Sequence, residues 1–167
     1  MKITKLKIRL YGDPCLRIKS DPIASVGPSE RVLIHSLIET MHENKGVGLA
    51  APQVGIGKRL FVIDVGDGPF ALINPKIIKQ SGKTVMEEGC LSIPGVAVPI
   101  ERATKIKVEY IDEKNKKVKK NCTDLLARVI QHEHDHLNGR LIVDYADKEL
   151  LREVKDVLND LAKRAKE

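Results

Sequence analysis

The sequence predicts an α+β domain in which mainly antiparallel strands pack around a central helix, with one further helix near each end of the chain. Two observations favour this class over a doubly wound parallel sheet. Segments rich in Val and Ile cluster in the middle of the chain, and helical patterns flank them instead of alternating with them. The 167 residues suit a single domain, and no linker or repeat divides them, so we expect one domain over residues 1–167.

Three helices are indicated by apolar residues at helical spacing and by residues that typically begin or end a helix. Ser29 is the expected N-cap of the first helix, and an Asn-Gly pair ends the second. The expected spans are about Ser29 to Asn44, Thr123 or Asp124 to Asn138–Gly139, and Asp147 to the C-terminus.

Four segments have strand character. The N-terminus, MKITKLKIRL, alternates apolar with basic residues, and three later segments are rich in Val and Ile. The turn of a hairpin is expected at Glu113 to Lys116. The three later strands are predicted at Leu60 to Val65, Ala71 to Ile78 and Lys105 to Ile111.

The composition limits the compartment and the partners. Hydrophobic residues make up 42% of the chain, but no uninterrupted apolar stretch indicates a signal peptide or a membrane span. Three irregularly spaced cysteines do not make a disulfide framework, so we expect a reducing cytoplasm. The net charge of +6 fits an RNA partner or an ordinary lysine-rich surface, of which the surface is the simpler interpretation. We expect no membrane and no DNA partner.

The strongest chemical signal is the run His132-Glu133-His134-Asp135-His136. Two histidines four residues apart lie on one face of a helix, so both imidazoles can reach a single ion. Leu125 and Val129 precede them at spacings of four and three residues, which places both histidines on the buried stripe. Glu133 follows the first histidine without being a ligand, the position of the general base in metalloproteases.

The other three histidines are not expected to bind the ion. His134 is about 200° around the helix from His132, so we expect it at the surface or the rim of the site. His35 and His42 fall in the first predicted helix without a partner in sequence, and both are expected at the surface.

A third ligand is needed to hold an ion firmly. Glu149 and Glu153 lie downstream, as in some zinc proteases, but they fit better on the polar side of the last helix. Cys90 is the better choice, because a glycine precedes it and a Ser-Ile-Pro turn follows it. Two imidazoles and one thiolate leave a fourth position open, which is typical of catalytic sites. Cys15 and Cys122 are expected to be small buried hydrophobes.

Three motifs together resemble those of one enzyme family, the peptide deformylases. They are GVGLAAPQ at residues 46–53, EGCLS at 88–92 and HEHDH at 132–136, in that family's order and with compatible spacing. The likeness extends over nearly the whole chain and is similar to the bacterial type 1 branch. His134 stands where the family often has an apolar residue, on the side of the helix away from the expected ligands.

The resemblance implies removal of the N-formyl group from the initiator methionine of new polypeptides, with release of formate. It implies one divalent ion per chain, Fe²⁺ in the cell, for which Zn²⁺, Ni²⁺ or Co²⁺ can substitute. It also implies that the Gln53 side chain and the Leu91 backbone N–H stabilise the oxyanion, while Glu133 transfers the proton. The Gly-rich stretch before Gln53 would pair with the substrate like an added strand.

Further residues are expected around this site. Candidates for the methionine pocket are Val47, Gly48, Leu125 and Val129. Arg102 and Asp135 are expected to form an ion pair that supports the ligands, although a surface position for either is almost as compatible with the sequence.

Two other functions remain open at this point. A metalloendopeptidase would use the same His-Glu helix with an acidic third ligand and would cleave unformylated peptides. A non-catalytic, ribosome-associated protein would use the ion structurally, and ribosome contact could also accompany catalysis. The residues that suggest such a contact are the basic ones of the last helix, namely Lys155, Lys163, Arg164 and Lys166.

Overall fold

The structure, a computed structural model, describes residues 4–167 and confirms the α+β class. Within these residues, no helix is both long enough and apolar enough to cross a bilayer. The helices are α1 (Pro28–Glu43), α2 (Asp124–Leu137), α3 (Lys148–Glu153) and α4 (Lys155–Arg164). The strands are β1 (Gly48–Ala50), β2 (Leu60–Ile63), β3 (Phe70–Ser81), β4 (Thr84–Glu88), β5 (Val98–Arg102), β6 (Lys105–Ile111) and β7 (Lys117–Thr123).

Two antiparallel sheets organise the molecule. The larger has the order β1-β2-β3-β6-β7, so β1 and β7 are its edges, and the smaller is the hairpin β4-β5. The expected turn between β6 and β7 is confirmed, since Ile111 pairs with Lys117. The register shifts twice within the β3-β6 pair, as is typical of β-bulges.

The large sheet is covered differently on its two faces. Alternate residues of β2 and β6, including Phe61, Ile63 and Val108, pack with Val129 and Ile130 of α2. The residues between them face the other way. On that side α1 buries its apolar stripe on β1, β2 and β3. Helix α2 therefore lies on one face of the sheet, and α1 lies on part of the other.

Helix α1 begins one residue before its predicted start. The N-cap is Gly27, not Ser29, because Pro28 occupies the first helical turn and Glu30 accepts a hydrogen bond from the Gly27 N–H at 3.0 Å. Its buried stripe includes Ile34, Leu37 and Met41, which were part of the apolar pattern used to predict the helix.

Two sequence predictions of secondary structure are wrong. Residues 4–10 form no strand, since their backbone makes only isolated bonds such as Arg9 N–H to Gln53 O at 2.7 Å, and residues 1–3 lie outside the described part. The C-terminal segment is two helices, because the chain turns at Val154 between α3 and α4. Strands β1, β4, β5 and β7 were not predicted, as they are short, exposed or rich in lysine.

Candidate metal centre and active site

The structure brings Cys90, His132 and His136 together, although Cys90 comes from the segment between β4 and β5 and the histidines from α2. Their ligand atoms all lie within 4.8 Å of one another. The Nε2 atom of His136 is 3.5 Å from the Cys90 Sγ and 3.2 Å from the Nε2 atom of His132. Within residues 4–167, this is the one cluster of histidine, cysteine and acidic side chains close enough to hold an ion.

These separations fit a single ion held by three ligands. With nitrogen at about 2.0 Å and sulfur at about 2.3 Å, tetrahedral angles place two nitrogens about 3.3 Å apart and a nitrogen about 3.5 Å from the sulfur. Burial lowers the pKa of His136 well below its usual value, so this imidazole is neutral, the form that ligates metals. The donor set of two imidazoles and one thiol suits Fe²⁺, Zn²⁺, Ni²⁺ or Co²⁺.

Glu88 fixes the orientation of His132 and was not singled out from the sequence. It is the last residue of β4, it is buried, and its Oε1 lies 2.9 Å from the Nδ1 of His132. An N–H at Nδ1 that donates to Glu88 leaves the lone pair of Nε2 directed at the ligand cluster. The local signal was its position two residues before Cys90, but the pairing spans 44 residues and cannot be read from sequence.

Two buried arginines neutralise Glu88. Arg102 donates to both of its oxygens, from Nε at 2.7 Å and from Nη2 at 2.9 Å, and Arg128 Nη1 donates to Oε2 at 2.6 Å. Burial alone would raise the pKa of Glu88, but the bonds from His132 and Arg102 outweigh it and hold the pKa at about 2. Glu88 is therefore ionised and remains a strong acceptor for His132.

Arg128 also joins α2 to the small sheet. Its guanidinium donates to the backbone oxygen of Ile100 in β5 at 3.0 Å and to that of Thr84 in β4 at 2.7 Å. One buried side chain thus holds both strands of the hairpin that leads to Cys90. The sequence offered one signal for it, a charged residue four positions before His132 and beside the apolar stripe of the helix.

Arg102 and Asp135, the pair expected to support the ligands, are in contact. Arg102 Nη1 lies 3.0 Å from Asp135 Oδ2, and Tyr145 donates its hydroxyl to the same oxygen at 2.6 Å. Because Arg102 also binds Glu88, a continuous set of hydrogen bonds runs from Tyr145 to His132. Asp135 itself lies on the far side of α2 from Glu133 and lines a different cavity.

Glu133 lies beside the ligand cluster with an unused oxygen. Its carboxylate is buried, Oε1 is 3.9 Å from His132 Nε2, and Oε2 has no hydrogen-bond partner among the described residues. Burial raises the pKa of Glu133 to about 7. Gly48 makes room for it, since a Cβ at that position would lie 2.7 Å from Oε1.

Gln53 and Leu91 lie next to the same cluster. The backbone N–H of Ala50 donates to Gln53 Oε1 at 2.9 Å, which turns the amide nitrogen towards Ser92 Oγ at 3.2 Å and Cys90 Sγ at 3.6 Å. Within residues 4–167, the Leu91 backbone N–H makes no hydrogen bond. The site therefore has one oriented amide and one free backbone donor near the ligands.

A cavity of about 620 Å³ opens beside these groups. All four candidates for the methionine pocket line it: Gly48 and Val129 are buried, while Val47 and Leu125 are 45% and 49% exposed. Its wall also includes Gln53, Met86, Glu88, Cys90, Leu91, Arg128, His132 and Glu133. The cavity thus joins an apolar wall to the polar groups around the ligand cluster.

The remaining candidates lie elsewhere. Glu149 and Glu153 are exposed and line a separate cavity, so neither lies where the acidic third ligand of a protease would have to be. His35 and His42 are exposed, and His134 is partly buried on the side of α2 that faces another cavity. Burial raises the pKa of the Cys15 thiol to about 12, in keeping with an unreactive side chain.

Known proteins provide an independent comparison. The sequence model described as Polypeptide deformylase matches residues 5–151. "Peptide deformylase 1" of Clostridium acetobutylicum is 53% identical over 137 residues, which cover 82% of this chain and 91% of that protein. The crystal structure of peptide deformylase from Thermus thermophilus superposes with a TM-score of 0.90 at 40% identity, covering 95% of this chain and 98% of the other.

A second solved structure carries a bound molecule. The peptide deformylase of Synechococcus elongatus in complex with actinonin is 40% identical, with a TM-score of 0.88 and coverage of 96% of this chain and 90% of that one. The family match, the sequence identity and the shared fold agree with the resemblance carried by the three motifs. This chain belongs to the peptide deformylase family of metallohydrolases.

Proposed function

We propose that this chain removes the N-formyl group from the N-terminal formyl-methionine of newly made polypeptides and releases formate. One observation carries the proposal: the unpaired Glu133 carboxylate, the oriented Gln53 amide and the Cys90 cluster meet at one cavity. The family match supports the same reaction. We further propose that residues 1–167 act as a single catalytic domain in the cytoplasm, where formylated chains are made.

The helix α2, with its His-Glu-x-x-His sequence, is in this proposal the catalytic element. Cys90, His132 and His136 hold one divalent ion, Fe²⁺ in the cell by resemblance to the family, which Zn²⁺, Ni²⁺ or Co²⁺ can replace. When bound, such an ion supplies Lewis acidity that activates water and polarises the formyl oxygen. The protein holds His132 through Glu88 and holds Glu88 through Arg102 and Arg128, so the ligand geometry is set before substrate arrives.

Glu133 is the proton carrier of the reaction. In its ionised form it accepts a proton from the attacking water and then passes that proton to the departing amine. Its position suits both steps, because Oε2 is buried without a partner and Oε1 lies beside the ligand His132. A side chain at residue 48 would displace the carboxylate, so Gly48 acts by leaving this space open.

Gln53 and Leu91 stabilise the charge that develops on the formyl oxygen. The Gln53 Nε2 amide is held in place by the Ala50 N–H bond to its oxygen, and the Leu91 backbone N–H has no other acceptor. Donors fixed before the reaction stabilise an oxyanion without the cost of reorienting during it. Both residues line the cavity, Gln53 with its amide 3.6 Å from Cys90 Sγ and Leu91 directly after Cys90 in the chain.

The peptide binds along β1 in this proposal. This strand is an edge of the large sheet and pairs only with β2, so a substrate backbone can add to its free side. The methionine side chain enters the cavity between Val47, Leu125 and Val129. The carbonyl carbon of an internal peptide bond carries an α-carbon with its side chain, whereas the formyl carbon carries only hydrogen. A narrow site therefore favours formylated substrates.

Formate release from a formyl-Met peptide tests the proposal. The protein should be purified anaerobically and loaded with Fe²⁺ or Ni²⁺, and the variant Glu133→Gln serves as the control of similar size. The wild type is expected to release formate, and the loaded variant to be slower by about 10²–10⁴-fold. Actinonin, the molecule bound by the Synechococcus elongatus relative, is expected to inhibit the reaction.

A protease function gives the opposite result. If the loaded, folded wild type releases no formate but cleaves unformylated peptides, the deformylase proposal is wrong. Substitution of Cys90 separates the two as well. The deformylase proposal expects Cys90→Ala to lose both the ion and the activity, whereas a protease with an acidic third ligand would keep its ion.

A further inference from the structure

We propose that the outer face of β3, β6 and β7 docks the phosphate backbone of an RNA duplex. This surface, here called the lysine face, lies on the side of the large sheet away from α2. The proposal goes beyond catalysis, since none of its residues lines the cavity beside Glu133. It consists of Lys76, Lys79, Lys105, Lys107, Lys117 and Lys119, with Glu109 as the one acidic residue among them.

Strand register puts these side chains on one face. Lys105, Lys107 and Glu109 alternate along β6 with the buried Ile106 and Val108, so they point away from α2. Their partners in β7 and β3 point the same way. Glu109 lies between Lys76 and Lys119, Lys107 lies between Lys79 and Asn121, and Lys105 lies between Ser81 and Thr123.

No internal partner neutralises the lysine face. Among residues 4–167, no carboxylate oxygen lies within 4.0 Å of any of its six ammonium groups. Lys79 and Lys107 are directly opposite each other across two strands, an arrangement that destabilises a sheet. Five of the six lysines are exposed, and Lys107 is partly buried. The face therefore keeps its charge free for an external anion.

The charge is concentrated on this face and not on the C-terminal helices. Six lysines and one glutamate give the lysine face a net +5, in a chain whose net charge is +6. Residues 148–167 hold six basic and five acidic side chains, a net +1, and Arg164 lies 3.9 Å from Asp160. Any attraction of this protein to a polyanion is thus directed mainly by the sheet.

The geometry of the lysine face favours a duplex backbone over single-stranded bases. Alternate residues on one strand are about 6.7 Å apart and neighbouring strands about 4.8 Å apart, so the lysines form a grid over three strands. Single-strand binders stack bases on exposed aromatic rings. Here Phe70 and Tyr110 pack on the α2 side of the sheet, and Phe61 is fully buried. A grid of charges without stacking rings suits the phosphates of an A-form helix, which proteins recognise by shape and backbone.

Binding on this face leaves the proposed active site accessible. The ligand-bearing helix α2 packs on the opposite face of the sheet, and no residue of β6 or β7 lines the cavity beside Glu133. A protein docked through the lysine face could therefore still receive a peptide. RNA binding and turnover of a short peptide should respond to separate substitutions.

The test uses the full chain and a fluorescent 20-base-pair RNA hairpin, with binding measured between 50 and 200 mM salt. The sheet variant carries Lys105→Gln, Lys107→Gln and Lys119→Gln. The matched helix variant carries Lys155→Gln, Lys163→Gln and Lys166→Gln, which removes the same charge from α4 and the residues after it. Thermal unfolding and formate release are measured on both variants, and both are expected to be no less stable than the wild type and to release formate at the same rate.

The wild type should lose about 250-fold in affinity across this salt range, with a log–log slope near −4, since about 0.7–0.9 counterions are released per neutralised phosphate. The sheet variant should bind at least about 10-fold more weakly at 100 mM salt, with a slope near −2. The helix variant should change by less than about 3-fold. Equal losses in the two variants, or binding that salt does not weaken, would overturn the proposal.

Two further outcomes also count against it. If anionic phosphatidylglycerol vesicles bind and the RNA hairpin does not, the partner is a membrane surface and the RNA assignment is wrong. If neither binds, the lysine face has no docking function. If the wild-type protein binds the RNA hairpin but releases no formate, the proposed reaction is wrong and the inference about the lysine face is unaffected.

Discussion

The molecule holds two groups of charges that differ in almost every physical respect. Around Glu88 the charges are buried, and Arg102 and Arg128 lie within 3.0 Å of an opposite charge. On the lysine face the charges are exposed, and the described residues bring no carboxylate within 4.0 Å of them. The first group is directed inward, to His132, the proposed metal ligand, and the second is directed outward.

This difference determines what each group tolerates. A buried charge that loses its partner keeps its desolvation cost. We therefore expect the stability provided by the Glu88 group to change little with salt and to drop sharply when one of its members is substituted. Substitution of an exposed lysine changes the stability of the fold little, and the interactions of its charge are screened over about 10 Å at 0.1 M salt. The predictions below test this contrast, beginning with the largest expected effect.

The largest effect is expected at Glu88. The change Glu88→Ala leaves two guanidinium groups buried near no carboxylate except Asp135, so we expect unfolding free energy to fall by about 3–5 kcal/mol. Glu109→Ala, which removes the acid of the lysine face, should change it by less than about 0.5 kcal/mol. Chemical denaturation of both variants measures these losses of unfolding free energy. Similar losses would show that the buried and the exposed charges do not differ in their contribution to stability.

Glu88→Gln tests positioning apart from stability. It keeps an oxygen near His132 Nδ1 but removes the charge between the arginines. Metal affinity, measured by competition with a chelator, should fall by about 10–100-fold. Unchanged affinity in a destabilised variant would show that Glu88 is only structural.

Arg128 should be the next most sensitive position. Arg128→Met removes bonds to Glu88 and to the backbone of Thr84 and Ile100, so we expect a loss of about 2–3 kcal/mol in unfolding free energy. Arg152→Met is the control, because Arg152 is exposed on α3, and it should cost less than about 0.5 kcal/mol. A loss of unfolding free energy below about 1 kcal/mol in Arg128→Met would mean that water satisfies the groups that Arg128 contacts in the wild type.

Asp144 and Arg17 form an ion pair intermediate between the two groups. Burial would raise the pKa of Asp144, but bonds from Arg17 and from the Leu141 N–H outweigh it and lower the pKa below its usual value. The stability that this provides is present above the unfolded pKa and is lost as pH falls through the folded one. Asp144→Asn should therefore cost up to about 1 kcal/mol at pH 7, and this cost should shrink steadily as the pH is lowered, as measured by denaturation at a series of pH values.

The smallest effect is expected at Lys107. Because Lys107 faces Lys79 across the sheet, Lys107→Gln should stabilise the protein by a few tenths of a kcal/mol at low ionic strength. The gain should vanish by 0.5 M salt, where the repulsion is screened. Lys163→Gln should show no such salt-dependent gain in thermal unfolding, because Lys163 lies in the last turn of α4, where a positive charge is favourable.

Sequence reasoning was most accurate where a periodic pattern and a buried face coincide. The spacing of Val129, His132 and His136 predicted both the helix and the face of α2 on which the two histidines of the Cys90 cluster lie. The strand Lys105–Ile111 was predicted with its exact ends because apolar residues alternate cleanly along it. Cys90 was chosen from its neighbours, and the structure places it 3.5 Å from His136.

Sequence reasoning missed what depends on contacts distant in the chain. Glu88 and Arg128 meet across 40 residues, and no local pattern states that a buried acid will be paired with that arginine. The lysine face was missed for a related reason. Strand β7, KVKKNCT, has too few apolar residues to read as a strand, so its lysines could not be aligned with those of β6.

The ligands of the proposed ion come from two separately built parts of the protein, Cys90 from the segment after the small sheet β4-β5 and the histidines from α2. A bound ion is therefore a cross-link between these parts, acting beside Arg128. When a chelator removes it, the backbone amides of β4 and β5 should exchange with deuterium faster, while those of β2 and β3 keep their protection. Amide exchange in the β4-β5 hairpin would then report how much of the protein holds its ion.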